Sequence, residues 1–295
     1  MCKKLVCLVS LVLMLVLVSN TYAGTSVWSG DGTTGSWFDP CNWTSPSTDG
    51  SMPPVATDGF YVFDHWNSTT QKTAVIAASG AVGAWGAVDG LNDQHTINLQ
   101  TGGDLTLGGQ LLVGWFADGA YDQTGGDLVI NNNEFDGHIY AGVYGGSSGT
   151  INMSGGTIFN ADRVYVADAA GATGDVSLDD GTWTSWGGLR VNNVGTGHDY
   201  SYDNGGSGVF DIQGGTLILG GDPCNAIGDQ TAAIDMLAWM GLLTSYDQTG
   251  NGDYRIFTSY NFLTDQTTVW ADVPEPATIM LLGLGGLALI RRKRA

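Results

Sequence analysis

The sequence predicts an all-β protein in which a glycine-rich repeat forms a β-solenoid of the parallel β-helix type, closed by a short C-terminal capping helix. Three observations support this prediction: a glycine pair recurs along the chain, alternating apolar residues flank each pair, and a further strand follows at a nearly constant distance. Glycine makes up 46 of the 295 residues, which is typical of a chain with many tight turns. A β-sandwich built from the same strands is the alternative.

Five segments carry the glycine pair, which one of them replaces with Asp-Gly. They span residues 100–107, 123–130, 153–160, 178–185 and 212–219. The second glycines are Gly103, Gly126, Gly156, Gly181 and Gly215, so the period is 23 to 34 residues. A period of this size indicates stacked supersecondary units, none of which buries its apolar face alone.

Apolar residues alternate on both sides of each pair. In the strand before the pair, the residues on one face are Tyr121 and Gln123, Ile151 and Met153, Val176 and Leu178, and Phe210 and Ile212. In the strand after it, the corresponding residues are Leu105, Leu128, Ile158, Trp183 and Leu217. Because a period of two means that one face of a strand is buried, we expect these residues to form inward columns when the repeats stack.

A third strand follows each of the first four pairs, beginning at Leu111, Ile139, Val164 and Leu189. Its distance from the second glycine is 8, 13, 8 and 8 residues, and an Asn-rich insertion at residues 131–137 accounts for the long case. We expect the glycine pairs to be corners between separate short strands, because glycine enters positive-φ conformations at little steric cost.

The pattern divides the chain into five parts. Listed from the N-terminus, they are a signal peptide (1–23), an N-terminal capping region (24–96), the solenoid repeats (97–222), a C-terminal cap with a helix near 231–243 (223–272) and a sorting segment (273–295).

The segment between the two termini is strongly acidic. Residues 24–274 contain 28 acidic residues against four basic ones, so their net charge is −24. Such a surface repels phosphate groups, which argues against DNA or RNA as a partner.

The N-terminus has the three regions of a secretory signal peptide. A short basic start (1–4) is followed by an apolar run (5–18) and a small-residue region that ends at Ala23, after which we expect cleavage. An N-terminal membrane anchor is the alternative, although the apolar run is short for a span.

The C-terminus combines a Pro-Glu-Pro triplet, an apolar run (277–290) and a basic cluster. The cluster consists of Arg291, Arg292, Lys293 and Arg294. As a helix, the 14-residue run is about 21 Å long, against a hydrocarbon core of roughly 30 Å. The cluster would hold this end in the cytoplasm by the positive-inside rule. A buried C-terminal helix with a basic tail is the alternative.

This arrangement resembles the PEP-CTERM sorting signal of bacterial exported proteins, over residues 273–295 alone. The resemblance implies that an exosortase, a membrane transpeptidase-like enzyme, is a partner and recognises Pro274, Glu275 and Pro276. It also implies contact with the cytoplasmic membrane during sorting, with a final location in the cell envelope, at the cell surface or in an extracellular matrix. The protein is then anchored transiently or permanently.

An outward column is predicted from the third strands, at Leu112, Tyr140, Tyr165 and Arg190. Stacked aromatic rings on an exposed sheet face bind sugar rings through their apolar faces, so Tyr140 and Tyr165 are a candidate glycan site and an extracellular polysaccharide a candidate partner. A cross-strand ladder that only stabilises the sheet is the favoured interpretation.

No catalytic residue is predicted. A polysaccharide lyase on this architecture needs clustered carboxylates and a basic residue, and alternation is expected to place Arg163 and Arg190 on opposite faces. The predicted role is therefore structural or adhesive rather than enzymatic. Carbohydrate binding is the first alternative, and a polysaccharide lyase or hydrolase is the second.

No cofactor or metal is predicted, with calcium as a weak candidate. Residues 247–253 match the first positions of a calcium loop, but Thr258 stands where a bidentate carboxylate is needed. The four histidines show no metal-ligand spacing. Cys41 and Cys224 are the cysteines left after signal cleavage, and a disulfide between them stays open.

Overall fold

The computed structural model describes residues 25–30, 34–44, 54, 59–64, 72–90, 94–131, 137–195, 206–222, 226–245 and 256–271. This part of the chain is mostly β, with one α-helix, which confirms the all-β class. None of its helices is long and apolar enough to cross a membrane. The predicted signal peptide with Ala23 and the predicted sorting segment (273–295) lie outside the described residues.

The strands are numbered in chain order. Those before the first glycine pair are β1 (Thr25–Trp28), β2 (Trp43–Thr44), β3 (Gly59–Asp64), β4 (Thr73–Ile76), β5 (Ala81–Gly83), β6 (Trp85–Gly90) and β7 (His95–Leu99). The following strands are β8 (Asp104–Leu107), β9 (Leu111–Val113), β10 (Asp118–Ile130), β11 (Ile139–Ala141), β12 (Ser148–Asn160), β13 (Arg163–Val166), β14 (Thr173–Ser185) and β15 (Gly188–Val191). The last are β16 (Val194–Gly195), β17 (Ser207–Ile212), β18 (Thr216–Gly220), β19 (Leu243–Thr244), β20 (Ile256–Asn261) and β21 (Gln266–Ala271). A 3-10 turn (Pro40–Asn42) and helix α1 (Thr231–Trp239) complete the described elements.

The described strands form two sheets. One has nine strands in the order β16-β15-β13-β11-β9-β6-β3-β1-β2, and the other follows the path β20-β21-β18-β14-β12-β10-β7-β4. Neighbouring strands from successive repeats pair in parallel, as β10 does with β12 and β12 with β14. Antiparallel pairs occur at the ends of the sheets, between β1 and β2, β15 and β16, β18 and β21, and β20 and β21.

The core consists of the inward columns that the sequence predicts. Before the glycine pair, Tyr121, Ile151, Val176 and Phe210 are in register, and so are Gln123, Met153, Leu178 and Ile212. After it, Leu105, Leu128, Ile158, Trp183 and Leu217 are in register. The third strands align Leu111, Ile139, Val164 and Leu189. All of these side chains are buried, which confirms the predicted alternation.

Gln123 is the polar member of these columns, and its amide is fully hydrogen-bonded. The Tyr121 hydroxyl donates to Gln123 Oε1 at 2.9 Å. Gln123 Nε2 donates to the carbonyl oxygens of Gly126 and Thr157, at 3.0 and 2.9 Å. A buried amide costs free energy unless such partners are present, so the column accepts it without leaving an unsatisfied group.

The prediction that the glycine pairs are corners between short strands is wrong for the middle repeats. There β10, β12 and β14 each run through the pair as one 13-residue strand. Their register shifts at the pair, which is the mark of a β-bulge. Gly126 takes φ +73° at this point, so the strand bends without breaking the ladder. In the first and last repeats the flanking strands are separate, as predicted.

The predicted helix is shorter than residues 231–243, because α1 ends at Trp239. Gly241 follows with φ +72°, a left-handed conformation that commonly ends helices. Leu243, the last residue of the predicted helix, instead lies in β19 and pairs with Phe210. Ile234 and Leu237 of α1 are buried in the main core.

Parallel pairing also extends upstream of residue 97. β4 and β5 pair with β7 and β8, and β3 and β6 continue the nine-stranded sheet. Four aromatic side chains pack edge to face at this end, with centroid distances of 4.6 to 6.3 Å: Trp28, Trp37, Trp43 and Phe60. They belong to the same buried cluster as the repeats, so the core is continuous from this end to α1.

From the bulge geometry we expect alanine substitution to destabilise the protein more at Gly126 than at Gly80. Gly80 also has positive φ (+100°), but a Cβ there would meet nothing within 4 Å. At Gly126 a Cβ would lie 2.2 Å from the Gly103 carbonyl oxygen of the preceding repeat. We expect Gly80→Ala to cost about 1–2 kcal/mol from backbone strain alone, and Gly126→Ala to cost clearly more. Urea unfolding of the two variants measures this, and equal midpoints would contradict the bulge geometry.

Candidate functional site

The outward face of the nine-stranded sheet carries the predicted aromatic column. Tyr140 pairs with Leu112 on one side and Tyr165 on the other, and Tyr165 pairs in turn with Arg190. The inward neighbours of these residues are core positions, so alternation directs the column away from the core. The register of this predicted column is therefore confirmed.

The two tyrosine rings in the column stack on each other. Their centroids are 4.7 Å apart and their planes differ by 9°. The Arg190 guanidinium carbon lies 5.6 Å from the Tyr165 centroid, and Tyr140 packs against the apolar cluster that contains Leu112. The faces of both rings are thus occupied by neighbours within the column. A sugar ring docks on a free aromatic face, so this geometry favours the stabilising ladder over a glycan platform.

His138 joins this column, which the sequence analysis did not anticipate. Its imidazole meets Tyr140 and Tyr165 edge to face, at centroid distances of 5.6 and 5.1 Å. Nδ1 accepts a hydrogen bond from the Arg163 backbone N–H at 3.3 Å. The Asp162 carboxylate is 3.6 Å from the same nitrogen. The signal was available: His138 directly precedes an inward strand residue, so alternation turns it outward.

Arg163 and Arg190 lie on the same face, so the prediction that they lie on opposite faces is wrong. Val164 and Leu189 are the aligned inward residues, and each arginine is adjacent to one of them in its strand. Alternation therefore turns both arginines outward. Arg163 Nε donates to the Gly187 carbonyl oxygen at 3.3 Å, whereas Arg190 lies over the Tyr165 ring.

A second aromatic row follows the ends of the third strands. Trp115 meets Trp85 edge to face at 6.2 Å and stacks on Phe116 at 4.6 Å. Phe116 stacks in turn on Tyr144 at 5.0 Å. Phe116 and Tyr144 are 58% and 49% exposed, so this row presents far more aromatic surface than the tyrosine column. Sequence reasoning missed it because Trp115, Phe116 and Tyr144 follow the ends of β9 and β11, where alternation no longer assigns a face.

A buried carboxylate supports this row. The Asp89 carboxylate accepts hydrogen bonds from the backbone N–H groups of Phe116 and Ala117, at 2.9 and 2.6 Å. Burial raises the pKa of Asp89 above its ordinary value, even though these hydrogen bonds act in the opposite direction. Asp89 therefore holds the segment from which Phe116 projects.

The described residues contain no group of three or more His, Cys, Asp or Glu that could hold a metal ion. The candidate calcium segment (247–253) lies outside the described residues, whereas Thr258 lies in β20 and pairs with Val269. Cys41 is exposed, and Cys224 lies outside the described residues.

The comparisons with known proteins concern the C-terminus. The family model of the PEP-CTERM protein-sorting motif matches residues 272–294. No curated protein and no solved structure matches the chain. The match confirms the predicted resemblance at this end. It supports an exported protein that is processed by an exosortase-type enzyme and associates with the membrane during sorting.

Stacking in the tyrosine column is testable by a double-mutant cycle. We expect Tyr140→Ala and Tyr165→Ala to show a coupling energy of about 0.5–1.5 kcal/mol in the free energy of unfolding, the value of a stacked aromatic pair. The matched control is Tyr140→Ala with Asn152→Ala, an outward residue of the other sheet, for which the effects should add. Additive effects in the tyrosine pair would show that its rings do not stack.

The buried carboxylate makes a pH-dependent contribution to stability. Because the folded-state pKa of Asp89 is raised above 3.8, the folded chain binds this proton at higher pH than the unfolded chain. The contribution is therefore fully present at low pH and is lost as pH rises through the raised pKa. We expect the wild type to gain stability relative to Asp89→Asn as pH falls through that range towards 3.8. Urea unfolding over a pH series measures this, and parallel profiles would contradict it.

Proposed function

We propose that this protein is an exported component of the cell envelope or extracellular matrix, with a rigid β-solenoid ectodomain that has a structural or adhesive role. An exosortase-type enzyme processes the C-terminal tail, which delivers the ectodomain to the surface or releases it. The observation that carries the proposal is the sorting motif at residues 272–294. The described structure adds a second supporting observation, a repeat array with one continuous core.

The strand pairing supports a solenoid rather than a β-sandwich. In a sandwich, antiparallel strands connected by hairpins form two sheets. Here equivalent strands of successive repeats pair in parallel and in register, as Tyr140 does with Tyr165. Antiparallel pairs are found at the sheet ends. Each repeat thus contacts its neighbours along the array, which supports the proposed solenoid.

The same arrangement supports a structural role. Backbone hydrogen bonds and buried side-chain columns run through every repeat, so the array is expected to be stiff along its length. The strong negative charge of residues 24–274 keeps such an array soluble and does not favour nucleic acid. A stiff and soluble array suits a spacer or matrix component.

The two alternatives have less support. A glycan site at Tyr140 and Tyr165 would need free ring faces, and these are occupied by Arg190, by each other and by the cluster around Leu112. We also propose that the ectodomain is not an enzyme. Because Arg163 and Arg190 share a face, one argument for this view is lost. The proposal keeps the other argument, since the described residues contain no group of three or more His, Cys, Asp or Glu that could hold the metal ion of a lyase.

In the tail we assign separate roles to three segments. Pro274, Glu275 and Pro276 are the recognised residues. The apolar run (277–290) enters the membrane, where its short length requires local thinning or flanking residues. The basic cluster (291–294) stays in the cytoplasm.

The intact mass of the protein purified from its native host tests the proposal. We expect the wild-type polypeptide to end near Pro276, with or without added mass from an attached group. In Glu275→Ala the chain should instead run to Ala295, because the recognised triplet is broken. Glu134→Ala, which changes the other glutamate of the chain, is the matched control and should be processed like the wild type.

Two outcomes would contradict the proposal. A wild-type chain that runs to Ala295 would mean a plain membrane tether, and the processing role would fall. Turnover of an acidic polysaccharide by the same preparation, abolished by Arg190→Ala, would replace the structural role with an enzymatic one.

A further inference from the structure

Exposed apolar side chains concentrate at the C-terminal end of the array. Six of the nine large apolar side chains that are exposed in the described part follow the last repeat. These six, which we call the terminal face, are Trp239, Met240, Phe257, Phe262, Leu263 and Trp270. Three of them are more than two-thirds exposed: Trp239 at 70%, Phe262 at 77% and Leu263 at 80%.

The terminal face belongs to the last elements of the fold. β20 is the outermost strand of its sheet and forms an antiparallel hairpin with β21. Phe257 and Trp270 are paired across this hairpin and stack at 5.9 Å near its open end. Trp239, at the end of α1, lines a surface pocket together with Ile256, the first residue of β20, which packs against the core. Trp239 and the Phe257–Trp270 pair therefore flank the two sides of this last hairpin. Met240 is the C-cap residue of α1, directly after Trp239. Phe262 and Leu263 form the hairpin tip.

The chain leaves the hairpin beside this cluster. β21 ends at Ala271, which pairs with Ile256, and the apolar run begins at Ala277. Six residue steps span at most about 20 Å when fully extended. A tail inserted in the membrane therefore keeps the open end of the hairpin within about 20 Å of the bilayer. The hairpin tip is about 20 Å further along a six-residue strand.

The charge of the hairpin also fits a lipid surface. β20 and β21 contain no charged residue, in a segment with 28 acidic residues. Asp265 lies in the turn and accepts a hydrogen bond from the Tyr260 hydroxyl. Asp235 is exposed beside Trp239 and must stay in water. The described hairpin has no basic residue, so its attraction to lipid is apolar and aromatic rather than electrostatic.

We propose that the terminal face rests on the membrane interface while the tail is inserted, with its tryptophan rings at the level of the lipid headgroups. Tryptophan is enriched at that depth because its ring is apolar and its N–H is polar. The array is thereby held end-on, and Pro274, Glu275 and Pro276 stay close to the bilayer where a membrane enzyme reaches them. This proposal rests on the proposed function, since it needs the tail in the membrane.

The test uses the full-length chain in phosphatidylcholine vesicles that contain brominated lipids, which quench the fluorescence of tryptophan in contact with them. We expect quenching in the wild type, and stronger quenching from bromines placed near the headgroups than from bromines at the chain ends. Trp239→Phe with Trp270→Phe should lose most of this quenching. Trp85→Phe with Trp115→Phe, which removes two indoles from the outward face, should retain it.

A second variant keeps the test independent of the tryptophan substitutions. Phe262→Asp with Leu263→Asp changes only the exposed hairpin tip and should lower the quenching of Trp239 and Trp270. Phe116→Asp with Tyr144→Asp is its matched control and should leave the quenching unchanged. Adding anionic lipid should not increase the quenching of Trp239 and Trp270, because the described residues of the hairpin (256–271) include no basic one.

The outcomes separate this proposal from the proposed function. A chain that floats with the vesicles but shows no bromolipid quenching, or equal quenching in the terminal and outward-face variants, overturns the docking alone. A chain that does not float with the vesicles overturns both the docking and the membrane role of the tail.

Discussion

The parallel, in-register pairing of successive repeats is the constraint on which the rest of this structure depends. Neighbouring strands lie about 4.8 Å apart, so any position of one repeat lies directly against the same position of the next. Tyr121, Ile151 and Val176 show the result, a buried column that no single repeat could form. Since one repeat has no apolar interior of its own, its stability comes from its neighbours.

The same stacking controls the outward face. Where successive repeats carry aromatic residues at one position, as Tyr140 and Tyr165 do, their rings must stack at nearly the spacing of the strands. Each ring then covers a face of the next, which stabilises the sheet and removes the surface that a sugar would need. An aromatic column in a repeat array is therefore weak evidence for ligand binding. Phe116 and Tyr144 are more exposed, but their rings also stack, so each covers one face of the other.

A stack has two ends, and this chain treats them differently. At the start, Trp28, Trp37 and Trp43 are buried in an edge-to-face cluster that continues the core. At the C-terminal end, Ile234 and Leu237 of α1 are buried, but the last hairpin leaves apolar side chains exposed to solvent. Antiparallel pairs at both ends interrupt the parallel ladder. The apolar finish is the end from which the sorting tail departs.

The sequence by itself determined the all-β class, the inward columns, the order of the outward column and the sorting motif. These follow from local alternation and spacing, which stacking preserves from repeat to repeat. Only the tertiary structure decided that Gly126 lies in a bulge, that α1 ends at Trp239 and that Leu243 joins a sheet. It also decided that His138 packs on two tyrosine rings. The shared face of Arg163 and Arg190, by contrast, already follows from the period of two, because Arg163 lies two residues before Tyr165 and Tyr165 aligns with Arg190. The bulge, the pairing of Leu243 and the packing of His138 depend on what the neighbouring repeat offers as a partner, and a single stretch of sequence does not contain that information.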